Sequence, residues 1–180
     1  MSSMSDSIGF LSVKRHAEHG YFGGYLIVNP LARPLEFHCT MPVRPTRAQE
    51  LLYGSTLDDF LCGEQIAAAM VGKAKLKPEW LFTDCRAVLA LTGAVAGHVL
   101  YVDLPAESTT GAAWMPPAGK LPSRTLTVES YRFEVLPECR ITENELAERL
   151  QGLAPYFDLA EPFQRITEAL LEAHPIARAA

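Results

Sequence analysis

Polar and apolar positions along the first half of this chain follow the short periods of strands, interrupted by two helical stretches. Residues 10–16 (Phe-Leu-Ser-Val-Lys-Arg-His) predict a first strand. Gly23-Gly24 then introduce Tyr25-Leu26-Ile27-Val28, a continuous apolar run bounded by turn signals, as in a buried strand. Asn29-Pro30 and Arg33-Pro34 frame a turn. Residues 35–41 alternate regularly, with Phe37, Cys39 and Met41 expected on the core face and Glu36, His38 and Thr40 on the other. These three runs predict an antiparallel meander, ended by Pro42 and Pro45. Thr46 predicts the N-cap of a short helix through Leu52, closed by Gly54. A longer helix is expected over 56–75. Its stripe at Leu57, Leu61, Glu64, Ala68 and Val71 has helical spacing and sets Glu64 on an otherwise apolar face. Pro78 breaks it, Trp80–Thr83 reads as a strand, 84–96 as a helix, and His98–Leu104 as a further strand after Gly97. Meander, helix, strand, helix, strand is the order of an α/β fold with crossover helices on a mixed sheet.

The second half is less regular. Residues 105–123 are rich in Pro, Gly, Ser and Thr and read as a long loop, a length that is uncommon without function or disorder. Over 124–136 the apolar parity shifts from Leu126 and Val128 to Tyr131, Phe133 and Val135. That predicts a strand pair or one bent strand with a bulge near Ser130. Thr142 with Glu145 makes a capping box that opens a C-terminal helical region. Pro155 and Pro162 divide it, and Phe163, Ile166 and Leu170 mark the inner face of its second helix. The expected organisation is a disordered tail over 1–9, an α/β domain over 10–136, and a C-terminal helical extension over 137–180. No internal repeat is present.

Composition narrows the function classes more than it selects one. At 180 residues, 48% hydrophobic and 21% charged, the chain suits one sizeable core. Its net charge of −5 does not favour a broad phosphate-binding surface, although Lys73, Lys75 and Lys77 cluster and Arg33, Arg44 and Arg47 flank one loop. No run approaches the roughly 18 apolar residues of a membrane span, and the first residues lack the basic and apolar regions of a signal peptide. Four scattered cysteines without a Cys-x-x-Cys pair fit reduced thiols and a cytoplasmic location.

Two carboxylates carry the candidate chemistry. Glu64 on its helix and Asp84 at the tip of a short apolar strand are a pair that can share Mg²⁺ or Mn²⁺, because acids in close proximity repel unless a cation or proton intervenes. Asp103, near the end of the next strand, is a third candidate ligand. The bland alternative makes Asp84 the cap of the helix after it, Glu64 the partner of an arginine or amide, and Asp103 the start of the loop. Arg44 and Arg47 either bind phosphate near a helix start or form solvated surface. Trp114, in the long loop, either docks a partner or packs down as a lid. His38-Cys39 is not a ligand pair, since adjacent strand residues point to opposite faces.

These segments resemble the ribonuclease H-like superfamily over about residues 10–104. Gly23-Gly24-Tyr25-Leu26 resembles the glycine-rich entry to that family's second strand. Glu64 within Glu-Gln-Ile-Ala-Ala-Ala resembles the helix carrying its second acid, and Leu81-Phe82-Thr83-Asp84-Cys85-Arg86-Ala87-Val88-Leu89 resembles the segment carrying its third. The resemblance implies a metal-bridging aspartate on the first strand. This chain has Phe10-Leu11-Ser12-Val13-Lys14-Arg15-His16 there, without an acid and with basic residues that oppose a cation. A late acid, Glu143 or Glu145 at the start of the C-terminal helix, would then be the further ligand. Two functional expectations emerge. The first is a catalytically degenerate module acting with another protein in a larger assembly. The second is a metal-dependent nuclease or phosphoesterase using Glu64 and Asp84. Binding of a small ligand at the carboxyl ends of the strands, beside Asp84 and Asp103, is a third.

Overall fold

The computed structural model describes residues 6–91, 93, 95–105 and 114–178. Strands β1 (Ile8–His16), β2 (Gly20–Val28) and β3 (Pro34–Cys39) form the expected antiparallel meander. Strands β4 (Trp80–Thr83) and β5 (His98–Asp103) then add on the other side of β1, each parallel to its neighbour. The two-residue β6 (Trp114–Met115) pairs with the end of β1, and the hairpin β7 (Arg124–Val128) and β8 (Tyr131–Val135) extends the sheet past β5. The resulting order is β3-β2-β1-β4-β5-β8-β7. Parallel neighbours β1, β4 and β5 require crossovers, and those crossovers cover the sheet.

Between β3 and β4 lie α1 (Arg47–Tyr53), a π-type helix (Asp59–Ala67) and α2 (Ala68–Lys73), the last two continuous. Thr46 caps α1 in a full capping box with Gln49, and Gly54 succeeds it with a positive φ of 53°. The π-type winding rearranges the face expected of this helix. Bonding five residues apart brings Leu61 and Ile66, and Cys62 and Ala67, to the same side. Glu64 therefore turns out to solvent, which corrects its expected place on the apolar face. The helix sits close to the short 3₁₀ segment Arg86–Leu91 because Gly63 has no side chain. A Cβ there would lie 2.6 Å from Ala90 Cβ.

The helix expected over 84–96 is thus only this 3₁₀ segment. Near its start Thr83 Oγ1, and not Asp84, accepts the amide of Cys85 at 3.1 Å. The parity shift near Ser130 comes from a hairpin with a two-residue turn, where Glu129 adopts φ 55°, and not from a bulge within one strand.

Two cores flank the sheet. Leu11, Val13, Tyr25 and Ile27 pack with Leu61, Ile66 and Met70 on one face. On the other, Ile8, Phe10, Phe22 and Leu26 pack with Phe163, Ile166 and Leu170 of α4 (Glu161–Ala173) and with Leu146 of α3 (Glu143–Gln151). The C-terminal helices expected as an extension thus supply half of the sheet's cover. The capping box of Thr142 with Glu145 opens α3 as the sequence suggests.

β3 departs from expectation. Phe37, Cys39 and Met41 are exposed, whereas Glu36 and His38 are half-buried. The physical reason is an anchor: Glu36 accepts the amides of Lys75 at 3.0 Å and Leu76 at 2.7 Å and lies 2.8 Å from His38 Nε2. Its neighbours in sequence are left on the opposite face. There α4 covers β1 and β2 but leaves this edge strand open.

Candidate functional site

Register places the candidate acids. Leu11 of β1 lies beside Thr83 of β4, so one residue further along the parallel pair Ser12 stands next to Asp84. Two residues on, Lys14 projects to the same face as Ser12. Its ammonium donates to Asp84 Oδ2 at 2.8 Å, with side-chain exposures of 18% and 13% for the two partners. Ser12 is fully buried, and among the described residues neither its Oγ nor Asp84 Oδ1 has a hydrogen-bond partner. The first strand therefore sets a serine hydroxyl and a lysine ammonium, and no acid, beside Asp84.

Glu64 does not join them. It lines an open cleft with Ala90, Leu121, Pro122, Leu136, Pro137 and Glu138. Asp103 is exposed on the last residue of β5, opposite Arg132 of β8. Burial raises the Tyr101 phenol, and the charges of Asp103, Glu134 and Asp84 raise it further, so Asp103 and Asp84 both act on that side chain. Among the described residues, no group of three His, Cys, Asp or Glu side chains is placed to hold a metal. Glu143 starts α3 and accepts the amide of Thr127, and Glu145 is occupied by the capping box. This donor set does not fit a divalent cation: Asp84 already carries an ammonium, and Glu64 faces elsewhere.

Of the remaining candidates, Trp114 pairs with the end of β1, Arg44 reaches the turn after it, and Arg47 starts α1. Arg44 is exposed and its Nε donates to the carbonyl of His19 at 3.5 Å. Arg47 is exposed and pairs with Glu50 at 3.2 Å. Trp114 pairs with His16 through β6 and packs edge-on against His16 and Phe22, with ring centroids 5.9 and 5.4 Å apart. The stretch 106–113 of the expected loop lies outside the described residues.

The last part of that loop, residues 118–123, is pinned down. Arg86 Nε donates to Glu134 Oε2 at 2.6 Å, Nη1 to the Gly119 carbonyl, and Nη2 to the Leu121 carbonyl and Ser123 Oγ. Ser123 in turn donates to Glu134. Burial pushes the Glu134 carboxyl up, but the Ser123 hydroxyl and Arg86 guanidinium outweigh it and hold the group below its ordinary value. Asp58 and Asp59 accept the amides of Ala118 and Lys120, and burial raises Asp59. Cys62 and Cys85 are buried; a hydrogen bond between their thiols, with burial, pushes Cys62 up. Sequence reasoning missed this clamp entirely. Its only local signal was a lone arginine just after the Asp84 segment.

No protein-family model and no curated protein sequence matches the chain. Solved structures do. A variant of Ciona intestinalis Endonuclease V, in complex with a 23mer DNA containing an inosine followed by a ribo-adenosine, superimposes with a TM-score of 0.53 at 11% identity. That match covers 96% of this chain and 86% of the other. A second Ciona intestinalis Endonuclease V structure, with a 24mer DNA, gives 0.52 at 10% identity over 96% and 87%. Marinitoga piezophila Argonaute with a 5′-hydroxyl guide RNA gives 0.47 at 12% identity, over 94% and 31%. The chain has a ribonuclease H-like fold.

Proposed function

We propose that this protein is a catalytically silent ribonuclease H-like module that works by binding another protein within a larger assembly. The observation that carries the reading is the Lys14 ammonium at 2.8 Å from Asp84, beside Ser12. Two-metal phosphodiester cleavage needs carboxylates to gather cations that stabilise the attacking and leaving oxygens. Here a covalently tethered cation neutralises the one acid at that position, and it can neither coordinate nor activate water. A protein partner is supported by the apolar surface. Leu51 and Leu52 of α1 are exposed, no residue of that helix is buried, and Arg47 starts the same helix. The Endonuclease V structures contain DNA, but at 10–11% identity they speak for the fold and not for a nucleic-acid ligand here.

Calorimetric titration of Mn²⁺ tests the proposal. Wild type is expected to show no saturable binding, whereas Ser12→Asp combined with Lys14→Ala returns an acid to β1, removes the ammonium, and gains binding in the micromolar range. Saturable binding by wild type that disappears in Asp84→Asn, with cleavage of a nucleic acid, would overturn the silent reading in favour of the nuclease.

A further inference from the structure

The edge of the sheet at β3 is guarded, but one face of that strand is not. Pairing of Ile27 with Glu36 and of Val28 with Pro34 leaves Leu35 over as a bulge. Glu36 is turned inward onto the amides of Lys75 and Leu76. A proline, a bulge and an occupied inward charge are features that stop another strand from adding. The face is different. Phe37 lies beside Leu26, which belongs to the core packed on α4, and Cys39 lies beside Gly24, directly under Ile166. Facing residues of paired strands share a side, so Phe37 and Cys39 stand on the face that α4 covers elsewhere. Among the described residues, six of the ten well-exposed large apolar side chains belong here. Leu35 and Phe37 are on the strand, Leu31 and Met41 at its ends, and Tyr156 and Ile176 on segments beside those ends. At roughly 200 Å² for a fully exposed large side chain, their exposures amount to about 700 Å². That approaches the roughly 800 Å² that each partner gives to a standard interface.

α4 runs beside this row from end to end. Arg165 Nη1 donates to the Ala32 carbonyl before β3, and His174 Nε2 lies 3.0 Å from the Thr40 carbonyl after it. Glu161, Arg165, Glu168 and Glu172 recur at helical spacing, so the flank that Arg165 turns toward β3 carries more acid than base. On the outer side, Lys73 and Lys75 are exposed beside the Glu36 anchor.

We propose that the protein partner inferred above docks here through an amphipathic helix, laid alongside α4 across β3; the assignment rests on that protein-partner reading. A blocked edge leaves only the face to cover, and a sheet face beside one helix is covered by a second at 8–10 Å. The six residues of β3 span about 20 Å, which a helix crosses in about 13 residues. Its apolar side, at i, i+3, i+4 and i+7, meets Phe37. Lys or Arg on one flank meets Glu168 and Glu172, and Asp or Glu on the other meets Lys75. A second copy of this chain supplies no such helix among the described residues. Its α3 and α4 turn their apolar sides into their own core, and α1, at seven residues, is about half the length.

Photo-cross-linking in the cells that make the protein tests this. p-Benzoylphenylalanine in place of Phe37 reads the β3 face, and in place of Leu52 it reads the exposed apolar surface of α1. The expected result is a cross-link from position 37, with or without one from position 52. Mass spectrometry should map it to a segment of another protein with apolar residues at helical period between basic and acidic flanks. Adding Glu168→Lys and Glu172→Lys, both exposed, should cut the yield at least fivefold and leave the circular dichroism spectrum intact. A cross-link from position 52 alone overturns the β3 assignment and keeps the protein-partner reading. No cross-link from either position overturns both. Capture of a second copy of the chain, of a segment without helical period, or a yield indifferent to the charge reversals overturns the helix on β3.

Discussion

Two half-buried ion pairs lie on this sheet, and they are built in opposite ways. Arg86 and Glu134 approach to 2.6 Å, and four of the five guanidinium N–H groups are used, on one carboxylate oxygen, two backbone carbonyls and a serine hydroxyl. Lys14 and Asp84 approach to 2.8 Å, yet Asp84 Oδ1 and the adjacent Ser12 Oγ remain buried without partners among the described residues. A fully satisfied buried network specifies one arrangement and repays its desolvation, whereas an unsatisfied polar atom of the interior calls for another explanation. The first pair has the form of a structural clamp holding 119–123 against the segment after β4. The second has the form of a position whose chemistry is set by the fold and not by stability. Asp84 follows the last residue of β4 beside Ser12 of β1, and the Lys14 ammonium holds its Oδ2.

The comparison is broken most directly at Arg86. Arg86→Met removes the cation from Glu134 and leaves two carbonyls and Ser123 short of a donor. Breaking one side of a buried pair of this kind is expected to cost about 3 kcal/mol. Urea denaturation monitored by circular dichroism measures it. Limited proteolysis should show a new cut within 119–123, the stretch that the guanidinium ties down. A loss of under about 1 kcal/mol, within the range of surface pairs, would mean the network is not a clamp.

Lys14→Met is expected to cost less, about 1.5 kcal/mol, since Asp84 loses one charge-assisted hydrogen bond. The same denaturation experiment, run side by side, sharpens the contrast. If Lys14→Met proved as damaging as Arg86→Met, both pairs would be structural and the contrast between them would fail.

Much of this was legible from residue patterns, and the exceptions have physical causes. β1, β2, β4 and β5 are strands whose apolar runs are bounded by glycine, proline or polar turns, so local signals sufficed for them. Asp84 at the strand tip was likewise legible, as was the lack of an acid on β1. Glu64 was misplaced because its stripe was read at 3.6 residues per turn, while Asp59–Ala67 winds as a π-type helix and buries residues five apart. The inward face of β3 was misread for a different reason. Alternation shows that a strand has two faces, but which one is covered depends on Glu36 binding Lys75 and Leu76 about 40 residues away. The Arg86 clamp joins residues 33 to 48 positions apart and has no local period at all.

The smallest expected effect separates the pairs by pH. Glu134 is held below its ordinary value near 4.5, because the Ser123 hydroxyl and Arg86 prevail over burial. A carboxyl depressed in the folded state stabilises the protein above its unfolded value, and that contribution is lost as pH falls through the folded one. The stability difference between wild type and Glu134→Gln should therefore be flat from neutral pH down to about 4.5 and shrink progressively below it. Denaturation midpoints of the two proteins, compared at a series of pH values, provide the measurement. A difference that stays constant through the acid range would show that the clamp does not depend on ionised Glu134. The bonds from Arg86 to the Gly119 and Leu121 carbonyls would then carry it alone.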